Sequence, residues 1–253
     1  MPFVVPSSIA IKILLMRLYL LGVLFAVVCG QYTTAQTIFA IGSGDWDETA
    51  IWSTTGIGGP SCGCLPGSGD NVLIDGFDVD IDGSTGDVVV SSVVLANTAG
   101  ADVRLRVQGG SSLTVTGSLE ITNSSGGLDA ELSVMGTDSE LIIQGDFFAI
   151  QTGGDDLLID IDDNSTVNIS GNATLEHDGG DDLELNINFN SGIAAEWNVA
   201  GDLNIDHNAG DDIRVRVDDV NSLLHVEGDF EVNMNAGADD DFTFNLDEGN
   251  IIV

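Results

Sequence analysis

The chain has 253 residues, and its 41 acidic side chains face only six lysines and arginines, a formal net charge of −35. That balance excludes nucleic-acid binding and adhesion to anionic membranes, which both need clustered basic residues. Hydrophobic residues still make up 43% of the chain, so the acidity leaves room for a packed core and does not imply disorder.

The first element, residues 1–35, reads as a secretory signal peptide. Lys12 and Arg17 are its only charges; the apolar run LYLLGVLFAVVC follows, and then Thr33-Thr34-Ala35, small residues of the kind a signal peptidase cleaves after. Met16 before Arg17 is an alternative start. The apolar run is short for a membrane span, so the expected location is secreted, extracellular or cell-surface. Removal of residues 1–35 leaves four arginines, no lysine and all 41 acids, a formal charge of 4 − 41 = −37.

Residues 36–90 form a predicted N-terminal cap with the first coil or coils. GDWDETAIWS and the loop GIGGPSCGCLPGSGD are irregular, with Trp46 and Trp52 as candidate lids. Cys62 and Cys64 either close a local bridge or stay thiols, and no histidine lies near enough in sequence to complete a zinc site. DNVLIDGFDVDID then alternates apolar and polar residues, the period of a strand.

Residues 91–253 divide into six segments: 91–116, 117–144, 145–170, 171–200, 201–227 and 228–253. Five of them begin with glycine, and all six carry a glycine nine positions on, at Gly100, Gly126, Gly154, Gly180, Gly210 and Gly237. A period of about 26–30 residues calls for a solenoid. Each segment holds three short alternating runs, such as Leu157/Ile159/Ile161 or Leu224/Val226, so the predicted fold is all-β: a single-stranded parallel β-helix, or β-solenoid, of six coils. No proline follows Pro66, which leaves every backbone N–H free to join a ladder. Val253 closes a complete coil without a polar cap; the expectation is that the natural chain is longer or stacks on something.

The acidic pairs Asp155/Asp156, Asp181/Asp182 and Asp211/Asp212 occupy the same positions in successive segments, with Asp239/Asp240 one residue later. Stacked about 4.8 Å apart, equivalent carboxylates repel by about 0.9 kcal/mol per pair in water-like surroundings. These eight residues are therefore a candidate ladder for Ca²⁺, which takes six to eight oxygen ligands. The competing reading is turn chemistry, with glycine supplying positive φ and aspartate bonding local N–H groups. A catalytic acid pair is disfavoured, because such a pair is unique whereas these recur. Arg104, Arg106, Arg214 and Arg216 are expected on the outer face of the second strand, with Arg214 opposite Glu184 and Arg104 or Arg106 opposite Glu131. His177 and His207 are equivalent, beside Asp178 and Asn208; they are expected in a solvated turn, with a transition-metal site as the alternative. His225 aligns with Asn168 and Asn198 on the outer face of the third strand, where asparagine ladders stabilise stacked coils.

The arrangement of Trp46 and Trp52, then CGCLPGSGDNVLI containing Cys62, Cys64, Pro66, Gly69, Asp70 and Val72, resembles exported, adhesin-like cell-surface β-solenoid proteins of the Bacteroidota. It is also similar to the eight-glycine extracellular domain of some large surface proteins. The resemblance covers about a fifth of the chain, and it implies secretion with an adhesive or structural role and no catalytic residues. The expected function is thus a noncatalytic structural or adhesive cell-surface module, with a cell-surface protein or a carbohydrate as partner. The alternative is a carbohydrate-binding or polysaccharide-active, lyase-like β-helix, for which Arg214/Arg216 beside Asp211/Asp212 is the one neighbourhood to test.

Overall fold

The structure, a computed structural model, describes residues 35–98, 100–188, 193–235 and 241–253. The expected signal peptide lies outside the described residues except for Ala35, as do Gly237, Asp239 and Asp240. Residues 35–253 form one compact unit. Among the described residues the only helical element is a 3₁₀ turn at Thr49–Ile51, and no helix is long and apolar enough to cross a membrane.

The strands build three parallel sheets of nine, eight and seven strands, here A, B and C. Successive coils place one strand in each sheet, so this is a β-solenoid with three strands per coil. The six segments read from sequence are six of these coils. Another precedes them, with strands Asn71–Asp75, Asp78–Ile81 and Val88–Val90, and before it lies a partial coil with Thr37–Ala40 in sheet A and Gly44–Asp45 in sheet B. The coil starting at Asn71 is shorter than the rest, since Val72 pairs with Val93 whereas Val93 pairs with Leu119.

The coil at 147–169 illustrates how sequence becomes structure. Its strands are Phe147–Thr152, Leu157–Ile161 and Thr166–Ile169. Alternation sends Phe147, Ala149, Leu157, Ile159, Ile161, Val167 and Ile169 into the core, all essentially without solvent exposure. Their neighbours Asp160 and Asn168 point outward and are half-buried. Stacking puts like positions in register: Val72, Val93, Leu119, Phe147, Ala173, Leu203 and Phe230 form one column of sheet A. Bulk is balanced along it, for the coil whose residue there is Ala173 also supplies Trp197, which meets Phe147 edge-on at 5.6 Å.

The coil-opening glycines have a steric cause. Gly145, Gly171, Gly201 and Gly228 each donate an N–H to the carbonyl of the glycine one coil earlier, at 2.9–3.1 Å. A Cβ at any of them would lie 2.6–2.7 Å from that carbonyl oxygen, closer than packed atoms tolerate. These glycines form a spine along the corner between sheets C and A.

The N-terminal end is closed. Trp52–Ser53 pairs antiparallel with Thr37–Ala40 at the edge of sheet A. Trp46 and Trp52 are buried and meet edge-on at 4.9 Å, and the Trp52 indole donates to the Trp46 carbonyl at 2.9 Å. Cys62 and Cys64 are joined as a disulfide, and the Cys62 N–H donates to the Trp52 carbonyl at 2.9 Å. At the other end the inward residues Phe230, Val232, Phe242, Phe244 and Ile251 are only partly buried.

A glycine-to-alanine pair tests the spine. Gly201→Ala should lower stability by about 1–3 kcal/mol through overpacking against backbone. Gly126→Ala, where a Cβ meets nothing within 4 Å, should change it by less than about 0.5 kcal/mol. Urea denaturation of both variants checks the difference.

Candidate functional site

The aspartate pairs sit at the corner between sheets A and B. The glycine before each pair, Gly154, Gly180 or Gly210, has φ of 90°, 103° or 107°, the left-handed region that lets the chain turn out of sheet A. The two aspartates then do different things. Asp155, Asp181 and Asp211 are exposed, and they are connected through backbone: the N–H of Asp181 donates to the Asp155 carbonyl and that of Asp211 to the Asp181 carbonyl, both at 3.2 Å.

Asp156, Asp182 and Asp212 are half-buried and belong to a longer series. The Oδ1 of Asp102 accepts the N–H of Asp129 at 3.1 Å, and Asp129 likewise accepts Asp156 at 3.1 Å. Asp156 accepts Asp182 at 3.4 Å, and Asp212 accepts Asp241 at 3.2 Å. The turn chemistry expected from sequence is therefore present in altered form, since Asp102, Asp129, Asp156 and Asp212 serve the backbone of the next coil and not their own turn, while the Asp182 carboxylate accepts from Arg214. The register also places Asp241 beside Asp212, because Ile213 pairs with Phe242. The residue that continues the ladder is thus Asp241. Among the described residues no group of three or more His, Cys, Asp or Glu side chains is arranged to hold a metal ion.

A second ladder of this kind was not anticipated. Asp146, Asn172 and Asp202 accept the N–H of Asn172, Asp202 and Asp229 through Oδ1 at 2.8–2.9 Å. Its signal was available in sequence, for each of these residues follows a coil-opening glycine.

Inside the same A–B corner runs a buried polar column: Asn97, Asn123, Gln151, His177 and His207, all fully buried. Asn97 donates to the Asn123 side chain, and its own Oδ1 accepts the N–H of Ser124 at 2.9 Å. Asn123 donates to the carbonyls of Leu128 and Asp156 at 3.1 and 2.8 Å, and Gln151 donates to that of Asp155 at 2.6 Å. The column therefore holds, from within, the corner whose outside bears the aspartates. His177 and His207 correct the expectation of a solvated turn: the rings are buried and stacked at 5.0 Å with an interplanar angle of 6°. The strands Ala173–Gly179 and Leu203–Ala209 run past these positions, so the alternation Ala173/Leu175/His177 continues inward. Asn123, one of four possible glycosylation sequons in the sequence, is likewise interior.

A third corner, between B and C, uses serine. Ser111, Ser139, Ser165 and Ser222 are buried. Ser165 donates to the Val134 or Asp162 carbonyl at 2.7 or 2.6 Å, and Ser139 and Ser222 accept the N–H groups of Gly110 and Ala195 at 3.0 and 3.2 Å.

All four arginines lie on the outer face of sheet B, as expected. Arg104 pairs across from Glu131 and Arg214 from Glu184. Arg104 bonds Asp78 at 2.9 Å and Arg106 bonds Asp80 at 3.0 Å. Arg214 contacts Asp182, Glu184 at 2.9 Å and Asp212 at 2.5 Å, and Arg216 reaches Glu184 at 3.1 Å. The hydrogen bond that Arg214 donates to Glu184, with Asp182 and Asp212 close by, pushes the Arg214 pKa still higher and holds the side chain charged. That is the opposite of what a proton acceptor requires.

On sheet C, Asn198 donates to Asn168 at 3.1 Å and stands opposite His225. Two shallow depressions flank this row. One, of about 310 Å³, is lined by residues including Asp138, Glu140, Asn164 and Glu196; the other, of about 190 Å³, includes Asn168, Asn198, His225 and Glu227.

No protein-family model, curated protein or solved structure matches the chain.

Two measurements probe the corner. Asp156→Asn keeps an oxygen for the Asp182 N–H and removes a repelling charge, so stability should hold or rise. Asp156→Ala strands that N–H and should lose about 0.5–1.5 kcal/mol. The second is pH. Burial raises the carboxyl pKa of Glu131, Asp156, Asp160, Glu176, Asp182 and Asp218, while Asp82 and Glu184 are lowered, Asp82 chiefly by Ser84 and Glu184 by its bonds to Arg214 and Asn186. A carboxyl with a raised folded-state pKa binds protons more readily folded than unfolded. Its contribution is complete below the ordinary carboxylate range and is lost as pH rises through the folded value. At low salt, Tm should therefore be higher near about pH 5 than at neutrality, and Asp160→Asn should flatten that slope.

Proposed function

We propose that the chain is a secreted, noncatalytic β-solenoid that serves as a structural or adhesive module at the cell surface. The observation that carries this reading is the use made of its polar side chains. Asp102, Asp129, Asp156 and Asp212 accept backbone N–H groups from the next coil, and the interior amides of Asn123 and Gln151 bind corner carbonyls. Groups committed to joining one coil to the next suit a rod whose task is to hold its shape.

The experiment is gene deletion in the source organism, with antibody labelling of intact cells. Labelling that protease removes from intact cells, together with weakened attachment and unchanged growth on polysaccharides, is the expected result. Release of unsaturated oligosaccharides by the purified protein would overturn it in favour of a lyase.

One observation favours a second reading, carbohydrate binding. The sheet C depressions present amides and carboxylates, among them Asn168, Asn198 and Glu227, groups suited to sugar hydroxyls. An Asn198→Ala variant with weakened retention on immobilised glycans would support it, and a wild type that no glycan retains would sink it.

Calcium is decided separately. Because Oδ1 of Asp156 and of Asp212 is engaged by N–H groups, we expect cations to act by screening. Tm should then rise equally in CaCl₂ and in NaCl of matched ionic strength. A saturating, calcium-specific rise would instead place Ca²⁺ on the Asp155/Asp156, Asp181/Asp182 and Asp211/Asp212 ladder.

A further inference from the structure

The Cys62–Cys64 disulfide joins two cysteines separated only by Gly63. A cross-link stabilises mainly by removing freedom from the unfolded chain, and one that closes so short a loop removes little. Nor does the bridge fix this loop in place. The Ser61 hydroxyl donates to the Thr49 carbonyl at 2.8 Å, the Cys62 N–H to the Trp52 carbonyl at 2.9 Å, and the Gly63 N–H to the Ser61 hydroxyl at 3.2 Å. The disulfide ties no distant segments together, so its chemistry is what sets it apart.

Three features suit thiol–disulfide exchange. The Cys64 N–H donates to Cys62 Sγ at 3.2 Å, so a thiolate forming on Cys62 has a hydrogen-bond donor beside it, and a sulfur stabilised in this way leaves faster. Residues 53–69 carry no charged side chain in a chain of 41 acids, so no neighbour in sequence opposes a charge on that sulfur. Cys62 and Cys64 are half-buried, while Ser61, Gly63 and Leu65 beside them are exposed. The bridge therefore lies within reach of a thiol in solution.

We propose that Cys62–Cys64 is an exchange site that donates its disulfide to an accessible dithiol of a peptide or protein without net negative charge. A substrate thiolate attacks Cys64 Sγ; the bond between the two cysteines breaks, and its electron pair leaves on Cys62 Sγ beside the Cys64 N–H. The second substrate thiol, after losing its proton to solvent, attacks its partner sulfur in the mixed disulfide, and Cys64 leaves as a thiolate. Both cysteines then take up a proton. The substrate is oxidised by two electrons to a disulfide, and the protein is reduced to a dithiol. The choice of substrate follows from the net charge of the chain, which repels anionic thiols and draws cationic ones.

The test mixes the oxidised protein with dithiothreitol at neutral pH, quenches with acid and alkylates, and reads the label on Cys62 and Cys64 by peptide mass spectrometry. Reduction should be about tenfold or more faster than that of hydroxyethyl disulfide under the same conditions, with the circular dichroism unchanged. An uncharged peptide with two cysteines should gain one disulfide for each that the protein loses. The rate with glutathione should rise with salt, and that with cysteamine should fall. The Cys64→Ser variant, which retains Cys62, should be alkylated at that residue faster than Cys62→Ser is at Cys64. Reduction no faster than the reference, reduction only in denaturant, or a Tm lowered by more than about 4 °C on reduction would each overturn the proposal in favour of a purely structural bridge. So would a peptide that gains no disulfide, or equal alkylation of the two variants. A glutathione rate indifferent to salt would overturn the choice of substrate.

Discussion

Everything in this molecule answers to one constraint: each coil lies on a copy of its own backbone, about 4.8 Å away. Along the strands that spacing satisfies the peptide groups by itself. At the corners the chain bends out of a sheet, and the polar backbone groups there need other partners. Each corner meets this need in a different way. Between C and A, glycines bring backbone directly onto backbone, with aspartate or asparagine side chains bridging just beyond. Between A and B, aspartates act from outside while amides and histidines line the inside. Between B and C, buried serines reach the chain above or below.

The same constraint explains how so acidic a chain can fold. Stacking forces like residues together, so every recurrent aspartate meets another. Repulsion between neighbours is modest where water screens it, and a charge-assisted bond to an N–H group offsets it where a carboxylate is half-buried. The few cations are placed where that remedy is missing. Arg214 and Arg216 project from the middle of a strand, where backbone N–H groups are already paired, and draw Asp182, Glu184 and Asp212 around them.

The sheets were legible in sequence because burial on one face writes a period of two, and the stacking writes a period of one coil. Register followed too, well enough to set Arg214 against Glu184 and His225 against Asn198. The inner face of the corners was harder to read. His177 and His207 look like turn residues because they precede Asp178 and Asn208, and polarity there outweighed the alternation that carries them inward. Asp102 and Asp129 escaped notice because each stands alone where later coils have a pair, although the working member of the pair is the second. Whether an aspartate binds a cation or an N–H depends on which oxygen faces which coil, and that is a matter of three-dimensional placement.

The direction of the inter-coil hydrogen bonds has a mechanical consequence. They run along the solenoid axis, so a pull on its two ends loads every coil junction in series and none in shear. The junctions bear the same force and yield singly, beginning with the weakest. Each that opens frees about 26–30 residues, or roughly 90–100 Å of extended chain. Such a rod is stiff against small loads and lengthens in steps under large ones, which would let a tether absorb a sudden tug without parting.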